Sequence, residues 1–203
     1  MSELNRRNLA HGFYTAFPSH AKYWDRLESL FSPVRVEKGE VLLNQNDLWN
    51  SAYYIESGIA RLFYSDRNGN EFNKDFFYEG NFFWPVAPSA HKEPSLFAIS
   101  ALSSMLVWKA PYMQFRKELE SLSVWHPIAL QLAEMLAERK IMREASFLLD
   151  TPTERYIKLF EEYSELVNRI PDYHMASFLG ITPVSFSRIK KKFLGEGFDA
   201  NAC

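Results

Sequence analysis

The residues best suited to chemistry lie late in the chain, between Ile170 and Phe193. At about 100° per residue, Phe186, Ile189 and Phe193 share one side of a helix. Val184, Ser187, Arg188 and Lys191 fall on the other side, with Lys190 and Lys192 flanking them. A guanidinium can grip a guanine edge with two hydrogen bonds, and an ammonium can neutralise a phosphate. The chemistry indicated is therefore recognition of double-stranded DNA rather than bond making. A lysine run taken alone also reads as a solvated helix end, where cations suit the helix dipole.

That basic face needs a second helix to position it. Met175, Ala176 and Leu179 supply the apolar side of a first helix starting near Pro171, with Ala176 small enough for a close crossing. Gly180 stands where a left-handed residue ends that helix most cheaply. Thr182 can cap the second helix, with Pro183 in its first turn. The spacing predicts a helix-turn-helix, with Thr182, Pro183, Val184, Ser185, Ser187, Arg188 and Lys191 as its DNA-contacting residues.

Composition narrows the remaining classes. The chain has 203 residues, 47% of them hydrophobic, and a formal net charge of −2. It is not a polycation, so DNA binding must rest on a local basic patch. The single cysteine, Cys203, can make neither an internal disulfide nor a multi-cysteine metal site, which fits a cytoplasmic location. No apolar run reaches membrane-spanning length and no signal core is visible, so no membrane partner is expected. The histidines at 11, 20, 91, 126 and 174 lack metal-ligand spacing. No cofactor and no enzymatic activity are expected.

The rest of the chain supplies a scaffold. Residues 1–17 read as a partly helical lead, and Ser19 as the cap of a helix from His20 to about Phe31, with Tyr23, Leu27, Leu30 and Phe31 buried and Pro33 ending it. Strands are predicted at 41–43, 52–55, 59–64, 72–77 and 96–102, with a hairpin across Asp66–Asn70. Many short strands at this spacing imply a sandwich, barrel or jelly roll. A short helix should run from Ala110 to about Ser121, and a long one from about Pro127 to Leu149. Ile128, Leu132, Met135, Arg139 and Met142 follow heptad-like steps along the long helix and predict a homodimer seam. Ala129, Ala133 and Leu136 would face the β domain. A further helix is expected from Thr153 to about Val167, with Tyr156, Leu159, Phe160 and Tyr163 inward.

Two stretches carry a family resemblance. Residues 56–83, ESGIARLFYSDRNGNEFNKDFFYEGNFF, look like the β-roll hairpin of the Crp/Fnr superfamily of bacterial transcription regulators. Residues 174–193, HMASFLGITPVSFSRIKKKF, are similar to its helix-turn-helix. The resemblance covers about residues 20–193. It implies an α+β chain with an N-terminal double-stranded β-helix (jelly roll) domain over 1–122 and a dimerisation helix over 123–150. A winged-helix-like helix-turn-helix domain with a truncated wing would fill 151–203. The missing wing also leaves open a ligand-binding dimer that has lost DNA binding.

The departures from the family pattern bear on the ligand. Members that bind cyclic nucleotides carry Gly-Glu after Phe-Phe for the ribose, and Arg-Ser or Arg-Thr about ten residues on for the phosphate. Here Trp84-Pro85 and Pro94-Ser95 stand in those places. A buried anion without its guanidinium loses several kcal/mol. The expected cavity is lined by Leu62, Lys74, Phe77, Phe83, Trp84 and Phe97, with Lys74 available to an anionic, unidentified small-molecule effector. The same aromatics would equally serve as core with no ligand, and a cyclic-nucleotide-responsive regulator with a rebuilt pocket remains an alternative. A metal-dependent β-roll enzyme would want His and Glu clustered on adjacent strands, which the sequence lacks.

Overall fold

The computed structural model describes residues 3–195. Helix α1 (Glu3–Ala16) is followed by a 3-10 segment (Pro18–Tyr23), α2 (Trp24–Leu27) and a second 3-10 turn (Glu28–Leu30). Then come β1 (Ser32–Val36), β2 (Val41–Leu43), β3 (Ser51–Ser57), β4 (Ala60–Ser65), β5 (Glu71–Phe77) and β6 (Phe82–Phe83). After α3 (Pro88–Lys92), β7 (Ala98–Ala101) and β8 (Met105–Pro111) complete the strands. The remainder is helical: α4 (Tyr112–Ser121), α5 (Trp125–Leu149), α6 (Pro152–Glu162), α7 (Ser164–Val167), α8 (Asp172–Leu179) and α9 (Pro183–Gly195).

Among the described residues the strands form two four-stranded antiparallel sheets, ordered β1-β8-β3-β6 and β2-β7-β4-β5. That order is a jelly roll, and every expected strand lies in it. Three strands, β1, β6 and β8, have no counterpart among the expected ones. β8 covers residues for which no strand is expected, so the helix expected from Ala110 begins at Tyr112, and β8 is the partner of both β1 and β3. β1 contains Pro33, which lies just past the helical segment it was expected to end and pairs opposite Trp108. A proline is tolerated there because β1 is an edge strand and needs no N–H on its open side. The helix expected from His20 to Phe31 is broken into 3-10 and α pieces, and its first segment has Pro18 in the first turn and no side-chain cap, so Ser19 is not the cap.

Three hydrophobic clusters hold the described residues together. The first lies outside the first sheet, where Leu9 and Phe13 of α1 and Phe17 just after it, at four-residue steps, are buried with Phe82 and Trp84, joined by Trp125, Ile128 and Leu132 of α5. The second fills the space between the sheets, with Trp49, Tyr53, Leu62, Phe77 and Phe83 among its members. The third joins Ile59, Phe76 and Leu102 of the roll to Tyr156, Leu159, Met175, Leu179 and Phe186 of the C-terminal helices. In α6 a capping box pairs Thr151 with Glu154 and Pro152 takes the first turn, one residue earlier than the spacing suggested. The expected truncated wing falls after Gly195, outside the described residues.

Residues 1–17, read as a lead, thus include a core element. Gly12 lets it approach: a Cβ there would stand 2.4 Å from the Tyr54 ring. Gly12→Ala should cost about 1–3 kcal/mol through overpacking, read as a lower urea midpoint. An unchanged midpoint would contradict the packing of α1 on β3.

Candidate functional site

The basic face is built on α8, a tight turn and α9. Gly180 has φ 66° and ψ 35°, the left-handed conformation that ends α8. Its N–H donates to Ser177 O at 3.2 Å, and the Ile181 N–H donates to Ala176 O at 3.0 Å, so two terminal carbonyls are satisfied by one turn. The turn also rests on α5, since a Cβ on Gly180 would meet Phe147 at 2.6 Å. Thr182 Oγ1 accepts from the Ser185 N–H at 3.1 Å and caps α9, with Pro183 as its first residue. Phe186 is fully buried against Tyr156, ring centroids 5.4 Å apart, while Val184, Ser187, Arg188 and Lys191 are exposed. Pro183 and Thr182 are exposed and Ser185 is half-buried at the start of the same helix. Lys190 is drawn aside by Asp172, 2.7 Å away. The outward row of α9 is therefore a presented surface with one apolar, one hydroxyl and two cationic side chains.

The interior of the roll is occupied by its own rings. Phe77 and Phe83 stack at 4.3 Å with an interplanar angle of 3°. Tyr53 stacks on the other side of Phe83 at 5.1 Å, and Trp49 meets Phe83 at 6.3 Å and Phe97 at 5.7 Å. Of the six expected cavity residues, Leu62, Phe77, Phe83 and the partly buried Phe97 are brought together here. Trp84 is not. Successive residues of a strand point to opposite faces, so with Phe83 inward Trp84 packs outward against Phe17 and Phe115. Lys74 is also displaced, because the register of β4 and β5 shifts there, pairing Leu62 with Asp75 and Phe63 with Asn73. As the extra residue of this bulge, Lys74 is exposed at the rim, its ammonium 5.8 Å from the Tyr64 ring and 5.5 Å from Phe97.

Trp84, Pro85 and Ser95 each have a structural role. Trp84 and Pro85 are buried in the outer cluster or beside it. Ser95 is buried and exchanges backbone hydrogen bonds with the loop before β3, donating to Asp47 O at 2.9 Å and accepting from the Asn46 N–H at 2.8 Å. Its hydroxyl donates to Phe97 O at 2.8 Å.

The expected dimer seam divides. Ile128 and Leu132 are 0% and 6% exposed, buried in the outer cluster of the same chain. Arg139 is half-buried, 3.8 Å from Asp75 of β5. Met135 and Met142 are exposed flanks. The exposed apolar row along α5 is instead Leu130, Ala137, Ile141 and Leu148. Sequence spacing missed this because apolar residues recur at helical steps on both sides of α5, and the period alone cannot say which side faces the same chain.

Sequence reasoning also missed a polar junction where α8 and α5 meet β5. Arg143 of α5 donates to Asn73 O at 3.2 Å and to Phe178 O at 2.9 Å, its guanidinium 4.1 Å from the Phe178 ring. Burial holds the Arg143 guanidinium below its ordinary pKa, and the Asp75 carboxylate opposes that shift. Asp75 is itself pushed up by burial, against the pull of Arg139. Arg169, after α7, grips Glu79 with two hydrogen bonds of 2.6 and 2.9 Å, and Glu79 also accepts the Gly58 N–H at 2.7 Å. No periodicity marks these residues, since they come from elements far apart in sequence.

With Phe77, Phe83 and Tyr53 packed inside the roll, and with the resemblance implying that both charged nucleotide contacts are absent, we predict that cyclic AMP does not bind. Each lost charge-assisted contact is worth roughly 1.5–3 kcal/mol, so two cost on the order of 10²–10⁴ in affinity. Isothermal titration should show no saturable heat, and a low-micromolar dissociation constant would contradict the site as described.

Comparison with known proteins follows the geometry. Residues 33–121 match the cyclic nucleotide-binding domain family. A search of curated protein sequences finds no match. Among solved structures the chain is similar to FixK2 from Bradyrhizobium japonicum, at TM-score 0.70 and 16% identity over 84% of this chain and 89% of that one. It is similar to CLP, a c-di-GMP responsive global regulator from Xanthomonas campestris, at TM-score 0.68 and 15% identity, covering 87% and 93%. A protein of Eubacterium rectale described as a crp/fnr-family transcriptional regulator aligns at TM-score 0.64 and 18% identity, covering 90% and 89%. A sequence match to the cyclic nucleotide-binding domain over residues 33–121 thus lies in a chain that shares the fold of these solved structures.

Proposed function

We propose that this protein is a DNA-binding transcription regulator that acts as a homodimer. The observation that carries this reading is the outward face of α9, where Val184, Ser187, Arg188 and Lys191 stand exposed opposite the fully buried Phe186. A helix capped and turned in this way, basic on its free side, suits the major groove as the second helix of a helix-turn-helix. Arg188 reads a base edge, most simply guanine, and Lys191 holds phosphate. Val184 offers an apolar contact to a thymine methyl. The solved structures of similar fold include a protein described as a global regulator, which is consistent with a regulatory reading here.

The dimer is formed by a second copy across the outward row of α5. Leu130, Ile141 and Leu148 are 57%, 61% and 76% exposed, an apolar stripe on a 25-residue helix. A twofold axis along α5 would present two copies of α9 to a palindromic site with half-sites about one helical turn apart. Such a regulator works beside the chromosome, in the cytoplasm. The roll serves as sensor or as scaffold. An effector, if the roll takes one, is a small molecule other than a cyclic nucleotide.

Two experiments test this reading. Arg188→Ala should cost about 1–3 kcal/mol on a selected operator and relax its specificity, whereas Lys191→Ala should weaken all sequences alike and flatten the salt dependence. Equal losses on specific and random duplexes for Arg188→Ala would contradict the assigned roles. Ile141→Glu with Leu148→Glu places like charges in the seam without touching the protomer's core. The variant should sediment as a folded monomer, and an unperturbed dimer would move the interface elsewhere.

A further inference from the structure

The C-terminal helices meet the roll through a closed set of polar groups as well as an apolar one. β5 is an edge strand, so its outer N–H groups need partners from elsewhere. The Asn73 N–H donates to Ser177 Oγ of α8 at 3.0 Å, and that hydroxyl lies 3.3 Å from Glu71 O, to which it donates. The Asn73 amide completes the contact. Its Nδ2 donates to His174 O at 3.1 Å, and its Oδ1 accepts from Arg61 Nη1 at 3.4 Å. A carbonyl oxygen can only accept and a guanidinium can only donate, so the orientation of this amide is fixed.

The chemistry then fixes His174. Its Nδ1 faces Asn73 Nδ2 at 3.2 Å and Arg61 Nη1 at 3.5 Å, both donors. That nitrogen must carry a lone pair, so the docked imidazole is neutral. A proton on Nδ1 would confront two N–H groups and no acceptor. His174 is 5% exposed and Asn73 3%, so water cannot easily relieve the clash.

We propose that this junction is a proton-sensitive latch: neutral His174 holds α8, and with it α9, against the roll, and protonation loosens the pair and changes how α9 is presented. The effect on presentation rests on the reading of α9 as the DNA-contacting helix; the latch itself does not. His174 and Asn73 are positioning residues in this scheme.

The charges around the imidazole favour the neutral form. From β4 comes Arg61, and from β5 comes Glu71, already ion-paired to Arg61 at 2.6 Å. Lys38, in the turn after β1, adds a second repulsive charge. On α8 itself Asp172 is engaged by Lys190, and the Tyr173 ring lies 4.0 Å from the imidazole. Burial first, and Arg61 next, hold His174 down to about 4 against an ordinary 6.5. Because the docked value is the lower one, docking is at full strength above 6.5 and weakens as pH falls toward 4.

The Asn73 amide proton reports the latch directly, since its acceptor Ser177 lies across the junction. Hydrogen exchange of the full chain without DNA, corrected for intrinsic rates, should show its protection falling about tenfold between roughly pH 7.5 and pH 5.5. In His174→Gln, which cannot titrate, protection should not change over that range. Direct titration of the wild-type imidazole by NMR should give a value well below 6.5, near 4. An ordinary His174 titration, or equal loss of protection in wild type and His174→Gln, overturns the proposal, and the first arm needs no variant to fold. DNA affinity for a selected duplex, followed over the same pH range, should fall with protection in wild type alone. If protection falls while affinity holds, α9 is not positioned by the latch. If wild type binds no duplex even at neutral pH, the DNA reading fails while the exchange result stands.

Discussion

An exposed sheet edge is the constraint on which the arrangement turns. β5 ends its sheet, and the Asn73 N–H on it has no strand to donate to. A buried unsatisfied donor costs about 1–3 kcal/mol, so an element that covers the edge must also bring an acceptor. α8 does so with Ser177, and having come that close it must also satisfy the Asn73 side chain, which it does with His174. Arg143 then closes the remaining carbonyls of Asn73 and Phe178 from α5. The edge, the long helix and the C-terminal helices are thus fixed by one set of hydrogen bonds, and the bulge at Lys74 lets β5 turn Asn73 toward α8 while Phe77 faces the roll.

The roll combines a recognisable domain pattern with an interior packed by its own aromatic rings. The cyclic nucleotide-binding domain is recognisable over residues 33–121. Yet Phe77, Phe83 and Tyr53 form a continuous ring stack between the sheets. Apolar filling stabilises the sandwich without the desolvation cost of a buried anion and its guanidinium. Trp84, one residue beyond Phe83, turns outward and strengthens the cluster under α1.

The long helix serves two environments at once. Its N-terminal half buries Trp125, Ile128 and Leu132 on the roll, and farther along Arg139 and Arg143 reach β5. Its opposite side carries the apolar row from Leu130 to Leu148. Phe147, near its end, supports the turn at Gly180. A rigid helix that touches the roll, the turn before α9 and a free apolar row is well placed to relate all three.

What the sequence determined by itself was whatever rests on local chemistry. The α8–turn–α9 unit was legible because a left-handed glycine, a capping threonine and a proline in the first turn each act within a few residues. The hairpin across Asp66–Asn70 and most strands were legible for the same reason. Only tertiary structure decided which side of a periodic element faces which neighbour. Ile128 and Leu132 went to the chain's own core, Trp84 to the far side of its sheet, and Lys74 to a bulge, because burial and register are set by partners distant in sequence. The Asn73–His174 junction lay outside sequence reasoning altogether, since its residues lie 101 positions apart and share no pattern until the chain closes an open sheet edge.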